Sequence, residues 1–250
     1  MTDLRAIVYA PLRSQSPLQH YQVAPVRRAV HGDVILLAST QLGPDFNFAS
    51  VLGPVAPERF FAQAEAFYGG TPYGVLLDVE AAAELDRVLR DAGWELDEEE
   101  PALALASIPA APPPLPSGLE IRRVTTAAEL DAFFSITGTA RHRIPSVAAA
   151  LDPDVALFVG YVDGRPVATS RISCHGAVGD INGVVTAEAY RRRGIGAAMT
   201  WAAIEQGQRR GCDAMTLTAT ELGYPVYRRM GFVPVCIFRT YLPPSTPGRG

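Results

Sequence analysis

The chain has 250 residues, an apolar fraction of 48% and a formal net charge of −4. This length suits one or two domains, and the apolar fraction is ordinary for a globular protein. The acidic balance and the scattered arginines argue against nucleic-acid binding. Because no apolar stretch approaches the roughly 20 residues that cross a bilayer, and no leader pattern opens the sequence, we expect a soluble cytoplasmic protein without a membrane partner.

The first half alternates between strand and helix patterns, which predicts an α/β unit. The predicted elements, alternately strand and helix, are Val34–Ala38, Glu58–Tyr68, Tyr73–Asp78, Glu80–Ala92 and Ala102–Ser107. Pro57 is expected to begin the first helix and Gly93 to end the second. Phe46–Ala49 is expected to lie in the core, with a position in an acceptor cleft as the alternative. The acidic run Asp97–Glu100 is interpreted as a solvated loop.

A cluster of prolines between Ile108 and Gly118 marks a boundary. Such a segment is stiff and extended, and it joins domains without belonging to either. We therefore expect an N-terminal domain at 1–108, a linker at 109–118 and a second domain at 119–250. The first domain carries an acidic excess and the second a basic one, which suits an anionic ligand on the second.

The second half begins with a predicted strand at Leu119–Val124. Thr125 or Thr126 is expected to cap the following helix, with Glu129 completing a capping box. A further helix is expected near Ser146–Leu151. Two strands, Val155–Tyr161 and Pro166–Cys174, would then form a hairpin through Asp163-Gly164.

The run Arg191-Arg192-Arg193-Gly194-Ile195-Gly196 lies between a predicted strand, Ile181–Thr186, and a helix pattern that begins at Ile195. A helix N-terminus offers unpaired N–H groups and a positive dipole end. Glycines let an anion approach the backbone, and three arginines add positive charge. The run therefore indicates a phosphate site, with a solvated basic turn as the alternative.

Two common phosphate motifs do not fit this run. A P-loop needs a lysine after its second glycine, and the chain contains no lysine. A dinucleotide fingerprint needs a third small residue after two spacers and an acidic residue that ends the second strand. The spacing after Gly196 is incomplete, and Asp213 precedes its strand.

The remaining pattern is a strand at Ala214–Ala219, a helix at Glu221–Met230 and a strand at Val233–Tyr241. Gly231 stands where a left-handed helix cap is expected. Tyr227 lies four residues earlier, on the last turn of the helix.

In this order and spacing, Leu119–Leu242 resembles the GCN5-related N-acetyltransferase (GNAT) superfamily. Arg191-x-x-Gly194-x-Gly196 is similar to the family's phosphate signature, and Ala219–Phe232 to its closing block. The resemblance implies an α/β (α+β) fold with a mixed central sheet flanked by helices. The first half repeats the element order without the signature, so we expect a degenerate GNAT-like half and a single active site. The sequence departs from the family pattern in two places. Thr220 stands where many members have asparagine, and Glu188-Ala189-Tyr190 stands where many have Pro-Glu-Tyr or Pro-Asp-Tyr before the arginine.

The resemblance also implies how acetyl-CoA would bind. The amides from Arg192 to Ala197 would hold the pyrophosphate, the pantetheine arm would follow the strand that ends at Thr186, and a Val184 or Val185 amide would meet the thioester oxygen. The implied cofactor residues are Val184, Val185, Thr186, Arg191, Arg192, Arg193, Gly194, Ile195, Gly196, Ala197 and Thr220.

The predicted activity is N-acetyl transfer from acetyl-CoA to a small amine or a peptide by direct attack in a ternary complex, without a metal. Tyr227 is the candidate acid for the leaving thiolate, with a packing role as its alternative. The base stays open among Asp180, Glu221, His142, His175 and water. Cys174, Cys212 and Cys236 lack metal-ligand spacing and are expected to be free thiols.

The alternative function is a non-catalytic sensor or interaction protein that binds acyl-CoA on the same fold. We expect a monomer or a homodimer. Acyl-CoA consumption with a panel of amines would separate the two functions.

Overall fold

A computed structural model describes residues 3–14, 26–39, 47–108, 112, 114–138 and 152–244. The chain divides into two compact units, one of residues 1–22 and 102–235 and the other of residues 23–101 and 236–250. Among the described residues, no helix is long and apolar enough to cross a membrane.

The unit of residues 23–101 and 236–250 is built on a mixed sheet. Its elements in chain order are β1 (Val26–His31), β2 (Val34–Ser39), β3 (Phe48–Val51), α2 (Pro57–Tyr68), β4 (Gly74–Asp78), α3 (Ala83–Asp91) and the first part of β5 (Glu95–Leu105). The strands β1, β2 and β3 pair antiparallel, and β3 then pairs with β4 in parallel. Phe60, Leu77 and Leu85 are fully buried in the core between the sheet and its helices.

The unit of residues 1–22 and 102–235 repeats this plan with additions. Its elements are α1 (Leu4–Arg13), β6 (Leu119–Arg123), α4 (Ala127–Thr137), β7 (Val155–Val162), β8 (Arg165–His175), β9 (Val178–Thr186), α5 (Ile195–Arg209), β10 (Ala214–Thr218), α6 (Tyr224–Arg229) and the start of β11 (Val233–Leu242). The strands β6 to β9 pair antiparallel, and β9 pairs with β10 in parallel. The helix α5 packs on β8 and β9, and Ile172, Ile181 and Met215 are buried in the core.

Each unit therefore shows the same order of three antiparallel strands, a helix, a parallel strand and a second helix. This confirms the predicted mixed sheet flanked by helices and the two-half architecture.

The units differ from the predicted linear division at 1–108, 109–118 and 119–250. Residues 102–105 of β5 pair antiparallel with β10, and residues 238–241 of β11 pair antiparallel with β4. The unit that contains β10 thus takes a strand from the first half of the sequence, and the unit that contains β4 takes a strand from the second half. Local composition marks the proline-rich segment but carries no information about which partner a strand chooses.

Several local predictions are confirmed. Thr126 caps α4, and Glu129 completes the capping box. The hairpin turn has positive φ at Asp163 (49°) and Gly164 (74°), and Gly231 has φ 97°. The helix α2 begins at Pro57 as predicted.

Other predictions need correction. Residues 97–100 form part of β5 rather than a loop, because a strand with exposed side chains tolerates charge as well as a loop does. The sequence patterns did not reveal α1, β1 and β3. The helix α6 begins at Tyr224 rather than at Glu221. Asn47 and Ala49 are buried as expected, whereas Phe48 is only half-buried. Phe46 and the helix near Ser146–Leu151 lie outside the described residues.

Candidate functional site

The arginine and glycine run occupies the connection between β9 and α5. After Thr186, a 3-10 turn at Glu188–Tyr190 leads to Gly194, which caps α5 with φ 78°. The first backbone bond of the helix runs from the Ala198 N–H to the Gly194 oxygen at 3.1 Å. The N–H groups of Ile195, Gly196 and Ala197 therefore have no partner within the helix, as in any first helical turn.

The end of β9 lies directly against this helix start. A Cβ atom on Gly196 would be 3.7 Å from the Thr186 Oγ1. The Arg191 Nε donates to the Thr186 carbonyl at 3.1 Å. The strand end and the helix N-terminus therefore form one continuous backbone surface.

The arginine side chains surround this surface. Residues 191–193 are all exposed, and Arg192 itself adopts a positive φ of 62°. Arg193 donates to the Ala189 carbonyl at 3.0 Å and stacks over the Tyr190 ring at 5.1 Å. Because Arg191 and Arg193 are tied to the loop backbone, their charge stays beside the helix N-terminus, where it favours an anion.

The strands β9 and β10 separate beside this surface. Their parallel pairing joins 178–180 to 214–216, whereas β9 continues to Thr186. On its other edge, β9 stays paired with β8 through a bulge, where Gly183 has φ 61° and its carbonyl accepts from the Thr169 hydroxyl at 2.9 Å. Val184, Val185 and Thr186 are only half-buried after this bulge. A gap between two parallel strands gives an extended ligand access to backbone groups.

Tyr227 lies in the core of the same unit. Tyr227 is 7% exposed, and the centre of its ring is 6.0 Å from the centre of the Phe232 ring. A Cβ on Gly223 would be 2.8 Å from the Tyr227 Cε2, so the ring packs against the glycine backbone. The Thr220 carbonyl accepts from the Gly223 and Tyr224 N–H groups. These contacts fix the position of the tyrosine.

The four candidate bases fall in different places. Asp180 lies on β9, just where β9 and β10 separate. Burial raises the pKa of its carboxyl to about 6. The charge of Arg171 and a 2.8 Å hydrogen bond from Asn182 act in the opposite direction. Glu221 is exposed. The His175 Nδ1 is 2.7 Å from the Ser14 hydroxyl, at the start of the β8–β9 hairpin turn. His142 lies outside the described residues.

The three cysteines differ in exposure. Cys174 is half-buried, whereas Cys212 and Cys236 are buried. All three are free thiols. Among the residues that the structure describes, no group of three or more His, Cys, Asp or Glu side chains could hold a metal ion.

Comparison with known proteins identifies this arrangement. Residues 123–232 match the model of the acetyltransferase (GNAT) family. A GCN5-related N-acetyltransferase from Kribbella flavida is 25% identical, with a TM-score of 0.74 over 98% of this chain and 97% of that chain. On these matches, residues 123–232 are similar to the acetyltransferase (GNAT) family, whose members are in general acyltransferases, and the chain shares its fold with solved GNAT proteins.

Further solved structures share the fold over most of the chain. A GCN5-related N-acetyltransferase from Sphaerobacter thermophilus is 16% identical, with a TM-score of 0.57 over 86% of this chain and 81% of that chain. A tandem GNAT protein from the clavulanic acid biosynthesis pathway is 14% identical, with a TM-score of 0.59 over 97% of this chain and 94% of that chain. A search of curated proteins found no match.

Proposed function

We propose that this protein transfers an acetyl group from acetyl-CoA to an amine acceptor by direct attack in a ternary complex. The observation that carries the proposal is the continuous surface formed by the end of β9, the Gly194 cap and the N-terminus of α5. It lies beside the gap between β9 and β10 and is bordered by three arginines.

The coenzyme would bind along this surface. Its pyrophosphate would accept hydrogen bonds from the amides between Arg192 and Ala197, and Arg191–Arg193 would supply positive charge. The pantetheine arm would pair with the edge of β9 near Thr186. Thr220, which follows β10, would contact the same arm across the gap.

Amide formation from a thioester requires an oxyanion site and a proton donor. A backbone N–H of Val184 or Val185 would stabilise the oxyanion, typically by about 3–4 kcal/mol for one donor. Tyr227 would protonate the departing thiolate. Its buried ring and its contact with Gly223 hold it in one position, which such a donor needs.

Asp180 is the base that the geometry favours. Asp180 lies four positions before Val184, at most about 13 Å along the strand, so we expect a chain of water molecules to carry the proton from the amine. A general base works best when its pKa lies near the working pH. The pKa of about 6 brings Asp180 nearer to pH 7 than an ordinary aspartate.

We also propose a single coenzyme site per chain. In the other unit, the corresponding connection between β3 and α2 contains Pro57 at the helix start, which lacks an N–H. Gly53 in this connection lies against the Asp33 carboxylate. A negative charge at this turn disfavours a second anion.

Two measurements test the proposal. Calorimetric titration with acetyl-CoA should give saturable heat with one site per chain, and no heat at millimolar coenzyme would refute the binding site.

With an amine panel, Tyr227→Phe should lower kcat by about 10²-fold or more, with little change in acetyl-CoA affinity. Unchanged turnover would assign Tyr227 to packing alone. Binding without acyl-CoA consumption by any amine would favour the sensor function.

Phe232→Leu is a matched control for the tyrosine variant. It perturbs the aromatic partner of Tyr227 without removing a hydroxyl. If the control lowers kcat as much as Tyr227→Phe does, the effect comes from packing rather than from proton donation.

A further inference from the structure

The strand β6 (Leu119–Arg123) is the last strand in the order of the sheet. It pairs with β7 along one side, and among the strands that the structure describes none pairs with its other side. We call this other side the outer edge of β6. An edge strand presents backbone N–H and carbonyl groups that can pair with a strand of another chain.

The backbone groups of β6 point alternately toward β7 and toward the outer edge. The Val124 N–H donates to a carbonyl of β7 at 2.8 Å. Because neighbouring residues of an antiparallel strand point their backbone groups to opposite sides, the groups of Ile121 and Arg123 point to the outer edge. No described residue bonds to them there. The Leu119 carbonyl also points outward, whereas the Leu119 N–H donates to the Pro116 carbonyl at 3.1 Å.

Two exposed side chains of opposite charge stand on one face of β6. Arg122 donates to the Glu120 carboxylate through two hydrogen bonds of 2.7 and 2.6 Å. The Arg122 guanidinium also lies over the Tyr161 ring, 4.6 Å from its centre. These contacts hold one negative and one positive charge two positions apart, beside the outer edge.

This pair of charges favours one register for a second copy of the strand. In an antiparallel pair centred on Ile121, Glu120 of each copy lies opposite Arg122 of the other copy. Centring the pair on residue 120 or on residue 122 would instead place like charges directly opposite each other, which is destabilising. In the favoured register, the Ile121 groups of the two copies bond to each other, and the Arg123 N–H meets the Leu119 carbonyl of the other copy.

The strand at the other end of the sheet order lacks this complementarity. The strand β1 has the sequence Val-Arg-Arg-Ala-Val-His, with two arginines and no acidic residue. No register of two β1 strands can therefore place opposite charges across from each other. Of the two end strands, β6 is the one whose charges match a second copy of itself.

We propose that two copies of this chain associate through the outer edges of their β6 strands, in an antiparallel pair centred on Ile121. The contact is isologous, with a two-fold axis through that residue. Because two strands of five residues bury less than the roughly 1,200 Å² at the lower end of stable interfaces, we expect a weak dimer with a Kd of about 10–100 µM. An ionic strength of about 1 M shortens the Debye length to about 3 Å and should weaken the dimer further.

The test is sedimentation velocity of the full chain at concentrations between about 5 and 500 µM, where the wild type should pass from monomer to dimer. Glu120→Arg and Arg122→Glu each place like charges opposite each other, so each alone should raise the Kd by at least about tenfold. An equimolar mixture of these two variants places arginines opposite glutamates and should associate about as tightly as the wild type. Glu84→Arg, at an exposed position on α3, is the matched control and should dimerise like the wild type.

Two results of the sedimentation experiment would overturn the proposal. One is a wild type that stays monomeric up to about 500 µM. The other is a mixture that associates no more tightly than either variant alone, because the predicted register requires the two variants to complement each other.

Hydrogen exchange of the wild type tests the same interface without a substitution. As the protein concentration rises, the backbone amides of Leu119–Arg123 should exchange more slowly, whereas those of β1 should not change. Protection that appears in another segment and not in β6 would assign the dimer to a different surface and contradict the proposal.

Discussion

Replacement of Asp180 by asparagine tests the balance between stability and activity at the proposed site. Burial raises the pKa of this carboxyl from 3.8 to about 6. At about 1.4 kcal/mol per pKa unit, the shift corresponds to at most about 3 kcal/mol of destabilisation by the ionised group above both pKa values, and solvent screening of this half-buried residue lowers that figure. Asparagine keeps an oxygen that can accept from Asn182 and removes the charge. We therefore expect the variant to be up to about 3 kcal/mol more stable, or roughly 6–12 °C in Tm.

The sign of this effect depends on pH. Because the pKa of Asp180 is raised in the native state, folding favours the protonated carboxyl. The stability that this gives is fully present below pH 3.8 and is lost as the pH rises through about 6. The advantage of Asp180→Asn should therefore be small near pH 4 and complete by about pH 8. The same variant should lose about 10²- to 10⁴-fold in kcat/KM if Asp180 is the base.

The assay is urea unfolding of both proteins between pH 4 and pH 8, followed by circular dichroism. Asp97→Asn is the matched control, because this aspartate is exposed on β5. Equal stability of the Asp180→Asn protein and the wild type at pH 8 would refute the assignment of a desolvated carboxylate. A stability advantage of the Asp180→Asn protein that does not shrink toward pH 4 would refute the same assignment.

Two further predictions concern the phosphate loop and the other unit. Gly194→Ala should weaken acetyl-CoA binding by about tenfold in calorimetry, since a left-handed residue with a Cβ costs roughly 1–2 kcal/mol. Gly32→Ala, at a similar φ of 67° in the other unit, is the control and should leave binding unchanged; equal losses would contradict this. Asp86→Ala should lower the free energy of unfolding by roughly 1–3 kcal/mol, because it leaves the buried Tyr241 hydroxyl without its acceptor, whereas the half-buried Arg239 keeps Glu99. The exposed pair of Asp91 with Arg87 provides the control, and Asp91→Ala should cost less than about 1 kcal/mol; similar costs for the two variants would refute the account.

Local signals in the sequence were sufficient for much of the fold. The capping box at Thr126, the turn at Asp163-Gly164 and the start of α2 at Pro57 each depend on residues a few positions apart. The same holds for the loop before α5, where Gly194 adopts the left-handed conformation that its position required. The position of Asp180 beside the strand gap, by contrast, depends on where β9 and β10 separate.

By itself, the sequence determined most of the described elements of the second half and the residues that meet at the helix N-terminus, because short-range sterics and hydrogen bonding specify them. Only the tertiary structure decided which strands exchange between the halves and how far Asp180 is desolvated. These features arise from contacts between segments that are distant in the chain. Their energies depend on packing and dielectric surroundings, which no local pattern encodes.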